Sequence, residues 1–206
     1  MRLHQLFEQQ SFNNFDEIFE YAVNACRPIL QQSPSPLYRG MDTYNKHEDK
    51  IISSGKRVPS GEWDGDDKYR TFFDKWMVEK FGYKYLSQGI FATGDISHAR
   101  DYGDLHIVLP IGPVQYVWSP IFPDQQYIQD AFLQDQSFGA NITYELFSDY
   151  MEKSAKYTNK NLQQALNTDH EIILKCNSYF HFSESNLTEW NSGYTSIEQL
   201  WNDLRG

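Results

Sequence analysis

Thr168-Asp169-His170-Glu171-Ile172-Ile173-Leu174-Lys175-Cys176 is an acidic turn that runs directly into a short apolar strand. In an extended backbone, side chains two residues apart share a face, so Asp169 and Glu171 point the same way and Ile173 continues their row. Ile172 and Leu174 face the other way. A strand that is apolar on both sides belongs in a protein interior, and a carboxylate at its mouth is costly unless it is partnered or used. The plain alternative is that Asp169 merely ends a loop and Glu171 is a solvated strand-start residue.

Outward from this stretch, the spacing predicts a mixed α and β chain. Downstream, Tyr179-Phe180-His181-Phe182 reads as a last strand, paired with Ile172–Lys175 across Asn177-Ser178, and Ser196 to Leu204 reads as a terminal helix burying Ile197, Leu200, Trp201 and Leu204. Upstream, Tyr157 to Thr168 is a polar loop, preceded by a helix over about 143–156 and some helix around Gln125–Gln134. Leu105–Leu109 and Val114–Trp118 are strands joined by a hairpin-like Pro110-Ile111-Gly112-Pro113. Ile90-Phe91-Ala92-Thr93 is a strand, and Asp95 caps the short helix after it. An aromatic helix spans about Lys68 to Phe81 and is closed by Gly82. Residues 41–66 read as loop, with a short helix near Lys46–Ile51. Leu37-Tyr38-Arg39-Gly40 is the first strand, and residues 14–30 form an amphipathic helix capped by Asn14. One domain over 1–206 is expected, with an N-terminal helical extension (1–35), a core (36–185) and a C-terminal helix (186–206).

Composition narrows the function. With 206 residues, 40% of them hydrophobic and 16% aromatic, the chain can build a real core. No apolar run reaches membrane-spanning length, and Met1-Arg2-Leu3-His4-Gln5 lacks a signal peptide's apolar centre. Cys26 and Cys176 have no metal-ligand spacing, and together with the absent signal they fit a reducing, cytoplasmic setting. The net charge of −10 repels phosphate backbones, and Lys56-Arg57 is the only short basic cluster, so nucleic acid is the less favoured partner. The histidines share no ligand spacing, and no metal site is expected. His170 alternates to the strand face opposite the acids, a structural or partner-facing position.

Three short strands each carry one unusual polar element, in a fixed order: Tyr38-Arg39-Gly40, then Phe91-Ala92-Thr93-Gly94-Asp95 with Tyr102-Gly103 after it, then Asp169-His170-Glu171-Ile172-Ile173-Leu174. This order resembles the arginine–serine–glutamate class of ADP-ribosyltransferases over roughly Leu37 to Phe182. The Phe-Ala-Thr-Gly-Asp strand, its helix ending Tyr-Gly and the Leu-Pro-Ile-Gly connection look like those of small bacteriophage members. Two departures stand out. Thr93 lies in Ala-Thr-Gly where the family usually has Ser-Thr-Ser, and Asp169 stands where Glu or Gln is usual.

The resemblance implies an α+β fold of two small packed β-sheets with an NAD cleft between them and helices around the outside. It implies that NAD is consumed as a substrate and not kept as a cofactor, and the chain has no Gly-x-Gly-x-x-Gly loop of a hydride-transferring enzyme. Glu171 would stabilise the cation that forms when the nicotinamide–ribose bond breaks, and would bind a ribose hydroxyl. Arg39 would clamp the phosphates with its forked guanidinium, and Gly40 would let the backbone reach the nicotinamide amide. Thr93 would hydrogen-bond Glu171, Tyr38 would line the cleft, and Phe91 or Tyr102 would stack on the nicotinamide. Asp169 would orient or deprotonate the acceptor. The expected activity is transfer of ADP-ribose to a host macromolecule, a protein before a nucleic acid. An NAD glycohydrolase and an inactive binding module with the same fold are the alternatives.

Overall fold

Several helices begin on a residue whose side chain accepts from the backbone. A computed structural model describes residues 12–41, 52–54, 67–134, 142–189 and 191–206. Helix α1 (Phe15–Ala25) starts at Asn14, whose side chain accepts from the Glu17 amide at 3.0 Å. It stops at Cys26 and restarts as α2 (Arg27–Gln32), where a single helix over 14–30 is expected. Pro28 has no N–H for the Asn24 carbonyl, so the chain begins a new first turn around it. Helix α3 (Asp67–Phe81) ends at Gly82, which adopts a left-handed φ of 72°. A single turn, α4 (Tyr85–Gln88), leads into strand β3 (Ile90–Thr93).

The strands are β1 (Tyr38–Met41), β2 (Ile52–Ser54), β3 (Ile90–Thr93), β4 (Asp104–Pro110), β5 (Gln115–Trp118), β6 (Glu171–Lys175) and β7 (Ser178–Ser183). The remaining helices are α5 (Ile96–Arg100), α6 (Gln125–Gln134), α7 (Tyr144–Tyr150, extended by a π turn over Met151–Ala155), α8 (Leu162–Leu166), α9 (Glu184–Glu189) and α10 (Ile197–Arg205). Strand β2 lies in a segment expected to be loop, and α8 interrupts the loop expected over 157–168. The expected short helix near 46–51 and the Lys56-Arg57 pair lie outside the described residues.

The chain is α+β, but its strands form one antiparallel sheet in the order β2-β7-β4-β1-β3-β6-β5, not two separate sheets. The sheet is pinched at its centre. Strands β1 and β4 pair from Tyr38–Ile107 to Met41–Asp104, whereas β1 meets β3 only where Tyr38 opposes Thr93. Beyond that pair α5 packs on β1. A Cβ on Gly40 would lie 2.1 Å from the Ala99 carbonyl oxygen, so the α5 backbone closes over β1 there.

Two expected hairpins are absent for the same reason. Strand β4 pairs with β1 and β7, and β5 pairs with β6, so Pro110–Pro113 carries the chain from one half of the sheet to the other. Its Ile111 amide donates to the Ser178 carbonyl and its Gly112 amide to that of Ala25. Likewise β6 pairs with β3 and β5 while β7 pairs with β2 and β4, so Cys176-Asn177 is a second crossing.

Strand β6 is buried on both sides, as its alternation demands. Ile172 and Leu174 join a core with Ile90, Trp118, Phe180, Phe182 and the apolar faces of α1, α2 and α10. Ile173 joins a second, aromatic core with Val117, Phe73, Trp76, Phe132 and Phe147. The helix-bearing termini therefore pack directly on the sheet. Helix α10 buries Ile197, Leu200, Trp201 and Leu204, the four residues its periodicity selects.

Candidate functional site

The pinch leaves a cavity of about 330 Å³, within the ~300–1,000 Å³ typical of small-molecule sites. Strand β1 contributes Tyr38, Arg39 and Gly40 to its wall, and β3 contributes Phe91, Ala92 and Thr93. Glu171 enters from the start of β6, Tyr102 from the turn after α5, and Asp124 and Gln125 from the start of α6. Of the residues singled out from the sequence, all but Asp169 line this one space.

Register explains the convergence. Thr93 pairs directly with Glu171 across β3 and β6, and with Tyr38 across β1 and β3. Glu171 is the first residue of its strand, so its side chain projects past the end of the Ile173 row and into the opening. Contacts with the start of α6 and with Pro123 ahead of it help to fix it. Its amide donates to the Pro123 carbonyl at 2.6 Å, and its Oε2 accepts from the Gln125 amide at 3.3 Å. The carboxylate thus faces the amino end of α6, where the helix dipole favours negative charge. Thr93 is buried, and its Oγ1 accepts from the Asp95 amide at 3.1 Å, bracing the turn where a bond to Glu171 is expected.

Among the described residues, Arg39 is the only Lys or Arg in the cavity wall. Its Nη1 donates to the Phe91 carbonyl at 3.4 Å, while its Nε is buried and has no hydrogen-bond partner among the described residues. No carboxylate among the described residues lies within ion-pair distance of it. A half-buried guanidinium has the forked donors that suit an anion. Gly40 lines the cavity, but the nearby Ala99, Tyr102 and Gly103 backbone already requires a glycine there. Gly94 of the Ala-Thr-Gly motif is also a packing glycine, since a Cβ there would meet the Leu166 carbonyl oxygen at 2.0 Å.

Tyr102 is 57% exposed and stands edge-on to His98 at the cavity mouth. Its hydroxyl is pushed up to about 12, first by loss of water and then by the negative charges of Asp124, Glu171 and Asp101. It is a neutral hydrogen-bonding aromatic at any physiological pH. Asp169 points to solvent, its side chain 66% exposed and 3.8 Å from His170 Nε2. It lies in the turn before the strand, where the extended alternation that would align it with Glu171 does not yet apply. His170 is structural: its Nδ1 lies 2.7 Å from the Ser119 carbonyl oxygen and its ring lies against Trp118.

Asp124 and Gln125 escaped the sequence reading. Asp124 caps α6 by accepting from the Tyr127 amide at 3.0 Å, and Pro-Asp-Gln-Gln before an apolar period is the available signal for such a cap. Nothing local shows that this cap abuts Glu171. Among the described residues, no group of three His, Cys, Asp or Glu side chains gathers as a metal site, and no helix is long and apolar enough to cross a membrane. A scan against protein-family models and searches of curated proteins and of solved structures find no match to this chain.

Proposed function

We propose that this protein cleaves the nicotinamide–ribose bond of NAD and transfers the ADP-ribose to a macromolecule, most directly a protein. The observation that carries this reading is the meeting of Arg39, Thr93 and Glu171, which lie far apart in sequence, around one cavity. In the reaction, the C1′–N bond breaks and its electron pair leaves with nicotinamide. Glu171 faces the cationic ribose that remains. Arg39 holds the diphosphate, Phe91 and Tyr102 offer aromatic faces to the nicotinamide, and an acceptor X–H attacks C1′ and gives its proton to water. The solvent-facing position of Asp169 suits an acceptor that docks from outside, as a protein side chain does. The net charge of −10 keeps nucleic acid the less favoured acceptor.

The test is incubation with NAD labelled in its adenylate half, in the presence of host lysate. Label on protein supports transfer, free ADP-ribose alone supports a glycohydrolase, and no turnover of NAD refutes both. Glu171→Gln is expected to lower turnover by on the order of 10²–10³ while leaving the thermal unfolding midpoint in place. Full activity in that variant would remove Glu171 from its role.

A further inference from the structure

Asp124 is 7% exposed and borders the cavity. The peptide groups on either side of it both bond Glu171. The Pro123 carbonyl accepts from the Glu171 amide at 2.6 Å, and the Gln125 amide donates to Glu171 Oε2 at 3.3 Å. The cavity wall thus holds two neighbouring carboxylates, Asp124 and Glu171. One oxygen of Asp124 is committed: Oδ1 accepts from the Tyr127 amide at 3.0 Å and caps α6. The other, Oδ2, has no hydrogen-bond partner among the described residues and is not sealed inside the protein. A nearly buried carboxylate that leaves an oxygen open beside a cavity is costly unless that oxygen is used. Asp124 also lies toward the mouth, since its charge acts on the Tyr102 hydroxyl more strongly than that of Glu171 does. Asp169, the acid expected to serve the acceptor, points to solvent instead.

We propose that Asp124 is a catalytic residue of the transfer: its Oδ2 takes the proton of the acceptor as that acceptor attacks C1′. This rests on the NAD reading above and places a base between the acceptor and water. The C1′–N bond breaks, its electron pair leaves with nicotinamide, and Glu171 faces the cationic ribose. A lone pair on X forms the C1′–X bond, the X–H proton passes to Oδ2, and Asp124 later releases it to water. Glycosidases likewise divide the leaving and attacking groups between two carboxyl groups.

The test replaces Asp124 by Asn, which keeps an oxygen for the Tyr127 amide and loses the base. Adenylate-labelled NAD is supplied with lysate protein, with and without sodium azide, and the rise in unfolding midpoint caused by ADP-ribose reports binding. Asp124→Asn is expected to melt and to bind ADP-ribose as wild type does. It is expected to transfer label to protein or water on the order of 10²–10⁴ more slowly. Azide has no proton to lose, attacks C1′ directly and gives ADP-ribosyl azide. The variant is expected to form that product within about tenfold of the wild-type rate, a bypass that a merely structural role would not produce. Transfer by Asp124→Asn within about twofold of wild type overturns the assignment, and so does a slow variant that azide does not relieve. Asp124→Ser, another cap former, is measured in parallel. A midpoint well below wild type in both variants assigns the carboxylate to the fold and also overturns the proposal. A wild type that binds ADP-ribose but turns over no NAD overturns this inference alone. A wild type that does neither overturns the NAD reading and this inference with it.

Discussion

His106 shows how one residue behind the cavity wall ties stability to pH. It pairs with Arg39 across β1 and β4, and its ring meets His181 with the two Nδ1 atoms 3.3 Å apart. One ring must donate and the other accept, so the contact needs a neutral acceptor. Burial pushes the His106 imidazole down to about 4, against an upward pull from Asp104 and with a still smaller downward push from the Arg39 charge. The unfolded chain would hold that proton up to a value near 6.5. Between these limits the unfolded state binds more protons, so stability rises with pH. It is full above about 6.5 and falls by roughly 3 kcal/mol as pH drops to about 4. Urea unfolding of wild type and His106→Gln at a series of pH values between 7 and 4 checks this. The variant is expected to lose less stability over that window, and parallel curves for the two proteins would rule the effect out.

At the scale of elements, Gly40 decides how closely α5 approaches β1. A methyl group there would meet the Ala99 carbonyl oxygen at 2.1 Å, the Tyr102 carbonyl carbon at 2.7 Å and the Gly103 amide nitrogen at 2.8 Å. All three are backbone atoms, so no side-chain rotation relieves the clash. Gly40→Ala is expected to lower the melting temperature by roughly 5 °C or more. An unchanged melt would show that α5 is not seated there. The same strand marks what the sequence could and could not disclose. Arg39, Thr93 and Glu171 were legible because each interrupts or opens a short apolar run, where a polar group needs a reason. Helices α1, α3 and α10 were legible from their periodicity and caps. The partners of β4, β5, β6 and β7 were not. A two- to four-residue connection with Pro or Asn is a hairpin signal, and only the pinch in the sheet turns it into a crossing. Ile52-Ser53-Ser54 is too short to show a period, and Gln125 lies in a polar turn whose neighbour Glu171 is remote in sequence.

At the scale of the whole molecule, the two halves of the sheet share a single register pair, Tyr38–Thr93, and the cavity straddles it. A ligand that bonded both Arg39 of one half and Glu171 of the other would add to the link between them. The Nε of the Arg39 guanidinium is buried and has no hydrogen-bond partner among the described residues. These two facts separate stability from binding. Arg39→Met keeps most of the side chain's apolar contact and removes a charge that burial disfavours, so the free variant is expected to melt no lower than wild type. A ligand at a hundredfold excess over its dissociation constant adds about 2.7 kcal/mol, or roughly 5–10 °C for a domain of this size. ADP-ribose, which has both phosphates and cannot turn over, is the probe. It is expected to raise the wild-type melting temperature by that amount and leave Arg39→Met nearly unmoved at the same concentration. Added salt is expected to shrink the wild-type response, since the contact is ionic. An equal rise in both proteins would show that no anion is held by Arg39, and the cavity would then have to bind its ligand without a clamp on the diphosphate.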